Sequence, residues 1–509
     1  MAERKHSQTQ DQQLEALLMA SLPDPPPQVT ARVTPWRTAT RRALAGMALC
    51  AVTLNFWGLN YLLPGLGLAL SLLGFRALRG ENGWFASCWG FVCCRGLCFC
   101  ASLVLQATLV PEGAWGRLVM GGLTLLSCLS LVLLAFCLWR GLLEVQRKAG
   151  QPPGAPAAAA LILWYALVCL LTALPVGSGL WLGLGLLLAY GLLFASLCRL
   201  PARLEEAGYA ISPRVPRLSD RSLVGGILLA LGAALACAYL LGGHYAMDWQ
   251  PAAREAPSPT AAETRAHLTA LGFPADLLAD LTDADLADCA GAAQVAVSAN
   301  DHPMNRGRTV TTQTPQGTVT DQVFDQTELR LTGVAVRLAE EDCWRLFQFF
   351  QWREQPSYWG TESIRLQPAY QTLSMDWNDH SPVTGRVLYD RAGVTYTAPY
   401  AFLDHRTYYQ PSLFFGPEES AQGIFAAFSL PKAGENQRGY LTYAIQAVRP
   451  GVPCAVNSLF DYTHQRSPCQ YPVQSAMAYQ ATGGWLTAAP FVTAQEALQF
   501  YSHEGIPWT

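Results

Sequence analysis

The chain has 509 residues, of which 51% are hydrophobic and 14% charged, with a net charge of −3. That charged share lies far below the ~25% of ordinary soluble proteins, so a wholly water-soluble chain is excluded. Residues 1–249 carry 18 Lys+Arg against 11 Asp+Glu, and the remainder 16 against 26. The acidic half repels phosphate, which removes nucleic acid as a partner, and the contrast fits halves on opposite sides of a bilayer.

Residues 1–42 are expected to form a flexible cytoplasmic tail. A short amphipathic helix fits 11–20, and the prolines from Pro23 to Pro27 end it. No apolar stretch begins before about residue 43 and no small-residue cleavage site follows one, so no signal peptide is expected.

From 43 to 245 the composition predicts an all-α transmembrane bundle, with the bilayer as its partner. A crossing of ~30 Å of hydrocarbon takes about 20 residues. Apolar runs at 84–109, 117–139, 158–175, 178–198 and 223–243 meet that length, and 43–75, interrupted by Asn55, Asn60 and Pro64, reads as a hairpin of 43–58 and 59–75. The expectation is seven spans, with five and six as alternatives.

Arg76 and Arg79, then Arg140, Arg147 and Lys148, then Arg199, Arg203, Arg214, Arg217 and Arg221 occupy alternate connections, while 110–116 and 175–177 hold no basic residue. The positive-inside rule then puts the amino terminus in the cytoplasm and the carboxy-terminal half outside it. Arg95 is the one charge well within an expected span, and an intramembrane ion points to function unless the side chain snorkels to the interface. No Asp or Glu falls inside a span, which argues against an ion-coupled carrier. Gly226, Ala230, Ala234 and Ala238, and more briefly Gly67 and Ser71, offer small faces for helix packing. The Cys93, Cys94, Cys98 and Cys100 run lacks an accompanying His and reads as small apolar filling, not a metal site.

Residues 246–262 read as a linker and 263–291 as a small helical module, with Thr282 as an N-cap and Gly291 past its end. Over 292–509 the periodicity becomes two. Strands are expected at 295–298, 309–314, 318–323, 329–337, 344–352, 362–368, 385–390, 394–400, 423–429, 438–448 and 453–460, in an antiparallel sandwich or barrel-like fold. Thr493 and Glu496 have capping-box spacing, predicting a final helix.

No zinc, nucleophile-elbow, P-loop or dinucleotide motif is present, so no catalytic residue, metal ligand or cofactor is assigned. Asp379–His380, Asp404–His405 and Asp461–His464 are the acid–histidine neighbours that an outer-face hydrolase would need to bring together. Trp344, Trp352, Trp359, Trp377, Tyr408 and Tyr409 belong to an aromatic-rich stretch; most such rings are expected in the sandwich core, and these six are the candidates for a ligand-binding platform. Cys454 and Cys469 are the candidate disulfide. The sparse lysines (Lys5, Lys148 and Lys432) and the absence of glycosylation acceptors in the acidic half point to a GC-rich bacterial genome. The expected role is a non-enzymatic envelope protein whose outer domain binds a ligand, a cell-wall component or an envelope protein. The alternatives are a transport or channel component with its function in the helical bundle, and an outer-face hydrolase with an acid–histidine site.

Overall fold

A computed structural model describes residues 35–501 apart from 52–58, 174–179, 208, 210–218, 253–257, 306, 315–316, 324–325, 340–342, 369–376, 380, 411–418, 449–454, 469–473 and 482–489. The apolar half forms α1 (Trp36–Ala51), α2 (Leu59–Leu78), α3 (Gly83–Gln106), α4 (Ala114–Lys148), α5 (Pro156–Ala173), α6 (Leu180–Glu206) and α7 (Asp220–Gly242), with a 3-10 turn at Val110–Glu112. Asn82 caps α3 by accepting from the Phe85 N–H, and Ser219 caps α7 from Ser222.

Five of these helices (α2, α3, α4, α6 and α7) are long and apolar enough to cross a membrane. The expected seven crossings are not met on those terms. Arg37, Arg41 and Arg42 fall in the first turns of the 16-residue α1, and α5 contributes a shorter apolar run, Pro156–Leu171. The outward leucines and tryptophans of the long helices have no protein cover: Leu125 is 70% exposed and Trp181 83%. Such a belt of large apolar side chains is stable only against lipid.

The helices alternate in direction. At one end Arg42 and Arg76 both pair with Asp220, Tyr209 donates to Glu81, and Lys148 reaches the Glu81 carbonyl. That end therefore gathers the starts of α1, α3 and α7 and the ends of α2, α4 and α6. At the opposite end, Gly242 closes on Ala107 and Tyr61 faces Gln106. Helices α1 and α2 pack closely, so that a Cβ on Gly46 would lie 2.4 Å from the Gly67 carbonyl oxygen. The small face expected on α7 is used only in part: Ala234 and Ala238 are buried, whereas Gly226 meets open space and Ala230 is exposed.

The other half is a β-sandwich whose strand pairs are all antiparallel among the described residues. Its strands are β1 (Gln250–Pro251), β2 (Gln294–His302), β3 (Arg308–Thr314), β4 (Gly317–Val323), β5 (Leu329–Arg337), β6 (Cys343–Trp352), β7 (Glu362–Pro368), β8 (Trp377–Asp379), β9 (Thr384–Arg391), β10 (Val394–Ala398), β11 (Phe402–Gln410), β12 (Glu419–Phe428), β13 (Glu435–Ala447), β14 (Ala455–Gln465) and β15 (Phe491–Tyr501). One sheet runs β1-β10-β9-β13-β6-β5-β2 with β8 beside β13, the second runs β11-β12-β7-β14-β15, and β3-β4 form a separate hairpin. The sheets are open, not a closed barrel.

Alternation along the strands builds the layers. Leu346, Phe350 and Trp352 of the first sheet meet Ile364, Phe428 and Tyr462 of the second in the central core. The opposite face of the first sheet, with Val334, Phe347 and Phe349, is covered by the helical module of α8 (Pro259–Ala270), α9 (Ala275–Leu278) and α10 (Asp283–Ala287) through Leu268, Leu278 and Leu286. Thr282 caps α10 as expected, with Asp285 completing a capping box, and Tyr440 donates to Asp285 across that layer at 2.5 Å.

Three expectations change. Thr493–Glu496 does not start a helix: the segment is β15, paired with β14 over eleven residues from Ala455↔Tyr501 to Gln465↔Phe491. Continuous pairing outweighs a local capping signal. Within the expected linker, Gln250 and Pro251 pair with Thr397 and Tyr396, so the chain joins the sheet soon after leaving α7. Strand β11, charged at Asp404, His405 and Arg406, was not anticipated and forms the edge of the second sheet.

Candidate functional site

Two of the six candidate aromatic residues, Trp344 and Trp352, belong to the core of the sandwich. Trp344 and Trp352 point from β6 into the core and are 0% and 3% exposed. The Trp344 ring lies 4.5 Å from Phe500, and Trp352 Nε1 donates to the Tyr462 hydroxyl at 3.0 Å. These two are packing residues, because the period-two pattern that made them conspicuous also turns them inward. Trp359 is half-buried against the same core. Trp377 lies on β8, and Tyr408 and Tyr409 on β11; their side chains are outside the described part, as are Cys454 and Cys469. Among the described residues no group of His, Cys, Asp and Glu could hold a metal ion.

Among the described residues Asp461 and His464 do not meet, and Asp404 meets His405 only through the latter's backbone. Asp461 faces the outer side of β14, where Arg365 Nη2 and Gln495 Nε2 each donate to it at 2.6 Å. His464, three residues on, faces the core. Asp404 is exposed and accepts the backbone N–H of His405 at 2.7 Å; His380 is outside the described residues.

His464 instead meets an acid that its sequence neighbours did not announce. Its Nδ1 lies 2.7 Å from Glu362 Oε1, which β7 delivers opposite it in register, and the pair is 0% and 1% exposed. The Trp352 ring stands edge-on to the imidazole at 5.0 Å. Burial pushes the Glu362 carboxyl up from its usual range, while the imidazole and the Tyr462 hydroxyl pull it back. The pair can share a proton, but it has no exposed face on which to act on a substrate.

This pair lies behind the junction between sandwich and bundle. Past α7 the Tyr245 N–H donates to Ser429 Oγ at 2.9 Å, and Ser429 Oγ donates to the Gly360 carbonyl at 2.8 Å. The next residue, Thr361, donates through N–H and Oγ1 to Gln465 Oε1 at 3.0 and 2.9 Å. A hydrogen-bonded path thus runs from the end of α7 to the residues adjoining Glu362 and His464. Around it Tyr245, Phe425, Ala427, Met477 and Ala481 form an apolar cluster that also takes in Leu109, from the connection between α3 and α4.

Arg406 Nη1 reaches from β11 to Glu112 Oε1 at 3.0 Å. Burial raises the Glu112 carboxyl, opposed by the charges of Arg406 and Arg117. Desolvation of His244 pushes its imidazole down, against a hydrogen bond with the Gly360 backbone.

Within the bundle, Arg95 Nη1 donates to the Ser127 carbonyl on α4 at 3.1 Å. Twelve residues separate it from the start of α3, about 18 Å along the axis at 1.5 Å per residue. Arg95 therefore lies near the middle of α3 and satisfies a backbone carbonyl of the neighbouring α4.

No family profile and no curated protein matches the chain.

Proposed function

We propose that the chain is a multi-pass envelope protein, non-enzymatic, whose sandwich stands outside the cytoplasm, binds a ligand or envelope partner and is coupled to the bundle through the junction. The observation that carries this reading is the path Tyr245–Ser429–Gly360, flanked by the Arg406–Glu112 pair. A domain serving only as tethered cargo needs no hydrogen-bonded seat on its anchor.

Orientation is supported by the two ends of the bundle. Arg42, Arg76, Arg79 and Lys148 gather at the end remote from the sandwich, which the positive-inside rule assigns to the cytoplasm. In this reading α1 and α5 complete a seven-pass path, since both follow the alternating direction of the others. The expected partner is a cell-wall component or an envelope protein of a bacterial cell membrane.

The test is hydrogen exchange on the full chain in lipid nanodiscs, with and without isolated cell-wall and envelope fractions. Binding on the sandwich should alter protection there and also at 243–248. Protection changes confined to the membrane helices would oppose the reading.

Arg95 favours one second reading, a transport or channel role for the bundle, because a mid-span charge is retained at a cost. Under that reading Arg95→Gln abolishes flux in proteoliposomes while expression is unchanged. If flux is absent from the parent protein, or unaltered by the change, the second reading fails.

A further inference from the structure

Between α3 and α4 lies a groove of about 330 Å³ whose walls include Gly90, Phe91, Cys94, Leu126, Leu129 and Leu133. It opens on the lipid-facing surface: Leu126 is 44% exposed and Leu129 53%. The two hydroxyls on its walls are turned back into the helices, Ser87 Oγ donating to the Gly83 carbonyl and Ser130 Oγ to that of Ser127. What remains is a hydrocarbon surface that suits an acyl chain.

The end of the groove nearer the basic face carries a charge. Arg140 follows Leu133 by seven residues on α4, two turns along the same face and about 10 Å further out. Trp84 precedes Ser87 and Phe91 on α3 with the same facial spacing. The Arg140 guanidinium stacks over the Trp84 ring at 5.3 Å and over Trp139 at 5.9 Å. Among the described residues Arg140 has no carboxylate partner; Glu144, one turn further on, pairs with Lys148.

Thirteen residues separate Ser127, the mid-span partner of Arg95, from Arg140, about 20 Å. Half of the hydrocarbon layer is about 15 Å. Arg140 therefore lies at headgroup level, with tryptophans at the depth where interfacial rings settle.

We propose that this groove is a binding site for an anionic glycerophospholipid of the leaflet at the basic end, with its phosphate on Arg140 between Trp84 and Trp139 and one acyl chain between α3 and α4. The charge complementarity selects an anionic over a zwitterionic headgroup. The site is independent of the sandwich and of which compartment the basic end faces.

The test is native mass spectrometry of the full-length protein, titrated with phosphatidylglycerol or with phosphatidylcholine of the same chains. The parent should retain phosphatidylglycerol preferentially, and Arg140→Gln should lower that preference about fivefold, the contribution of one near-surface arginine against anionic lipid. A Cβ on Gly90 meets open space, so Gly90→Leu fills the groove without a backbone clash and should reduce retention of both lipids. Arg147→Gln, an exposed basic residue at the same end, serves as the control and should change nothing. Equal retention of the two lipids by the parent, no effect of Gly90→Leu, or an equal loss from Arg147→Gln would overturn the proposal; the last result would assign the attraction to general surface charge.

Discussion

Glu362 Oε1 and His464 Nδ1 meet at 2.7 Å across a separation of 102 residues, in a core from which both side chains are shielded. Removing one member of such a pair strands the other, at a cost of about 3–5 kcal/mol, whereas replacing both by apolar residues is often neutral. His464→Ala is therefore expected to destabilise the sandwich strongly, and Glu362→Leu combined with His464→Phe much less. Denaturant unfolding of the full chain checks the order. Equal losses would show that the pair does not act as a unit.

The same carboxyl sets a pH dependence. Burial raises its folded value, so the folded state holds a proton that the unfolded chain has released. Its stabilising contribution is complete below the unfolded carboxyl range and fades as pH rises through the folded value. Glu362→Gln fixes the neutral form and should flatten that part of the pH–stability curve.

Glu496 titrates in the opposite sense. Burial alone would raise it, but donors from His302, Asn300 and Ser298 together hold it below the usual range. Ser298 Oγ and Asn300 Nδ2 lie 2.7 and 2.9 Å from Oε1, tying β15 of one sheet to β2 of the other. A depressed carboxyl stabilises above its unfolded value, and the contribution is lost as pH falls through the folded value. Glu496→Gln should cost about 1.5–3 kcal/mol near neutrality, the range for hydrogen bonds to a charged group, and should weaken the acid-induced loss of stability.

At the junction the two partners are not equivalent. Glu112 is partly desolvated, and Arg406 offsets that cost. Arg406→Gln leaves the carboxylate without its cation and should loosen the junction, seen as faster hydrogen exchange at 243–248. Glu112→Gln removes the charge that needs compensation and should leave exchange there nearly unchanged. The reverse order would contradict the account of this contact.

Glycine positions in the bundle divide cleanly. A Cβ on Gly46 would collide with backbone at Gly67, whereas one on Gly232 meets nothing within 4 Å. Gly46→Val should lower the melting temperature by several degrees, while Gly232→Val leaves it almost unchanged.

Periodicity and composition carried the outline of the fold. Apolar runs predict helices because a bilayer crossing tolerates few charges, and the strands 362–368 and 329–337 lie where their alternation places them. Thr493 and Glu496 misled because a capping box is a local signal, and eleven residues of pairing with β14 override it. Trp344 and Trp352 were prominent as possible ligand contacts for the same reason that they are buried: large rings fill sandwich cores. Glu362 was invisible as the partner of His464 because register, not spacing, brings β7 beside β14. The groove near Arg140 follows facial spacing that was present in the sequence; its apolar walls needed α3 and α4 side by side.

The central claim is that the sandwich stands outside the cytoplasm with the basic end of the bundle inside. Lys432 and Arg147 are exposed on the sandwich and at the basic end respectively. A membrane-impermeant thiol reagent applied to intact cells should label Lys432→Cys above the parent background, and should label Arg147→Cys only after permeabilisation. Labelling of Arg147→Cys in intact cells, with Lys432→Cys protected, would contradict the account.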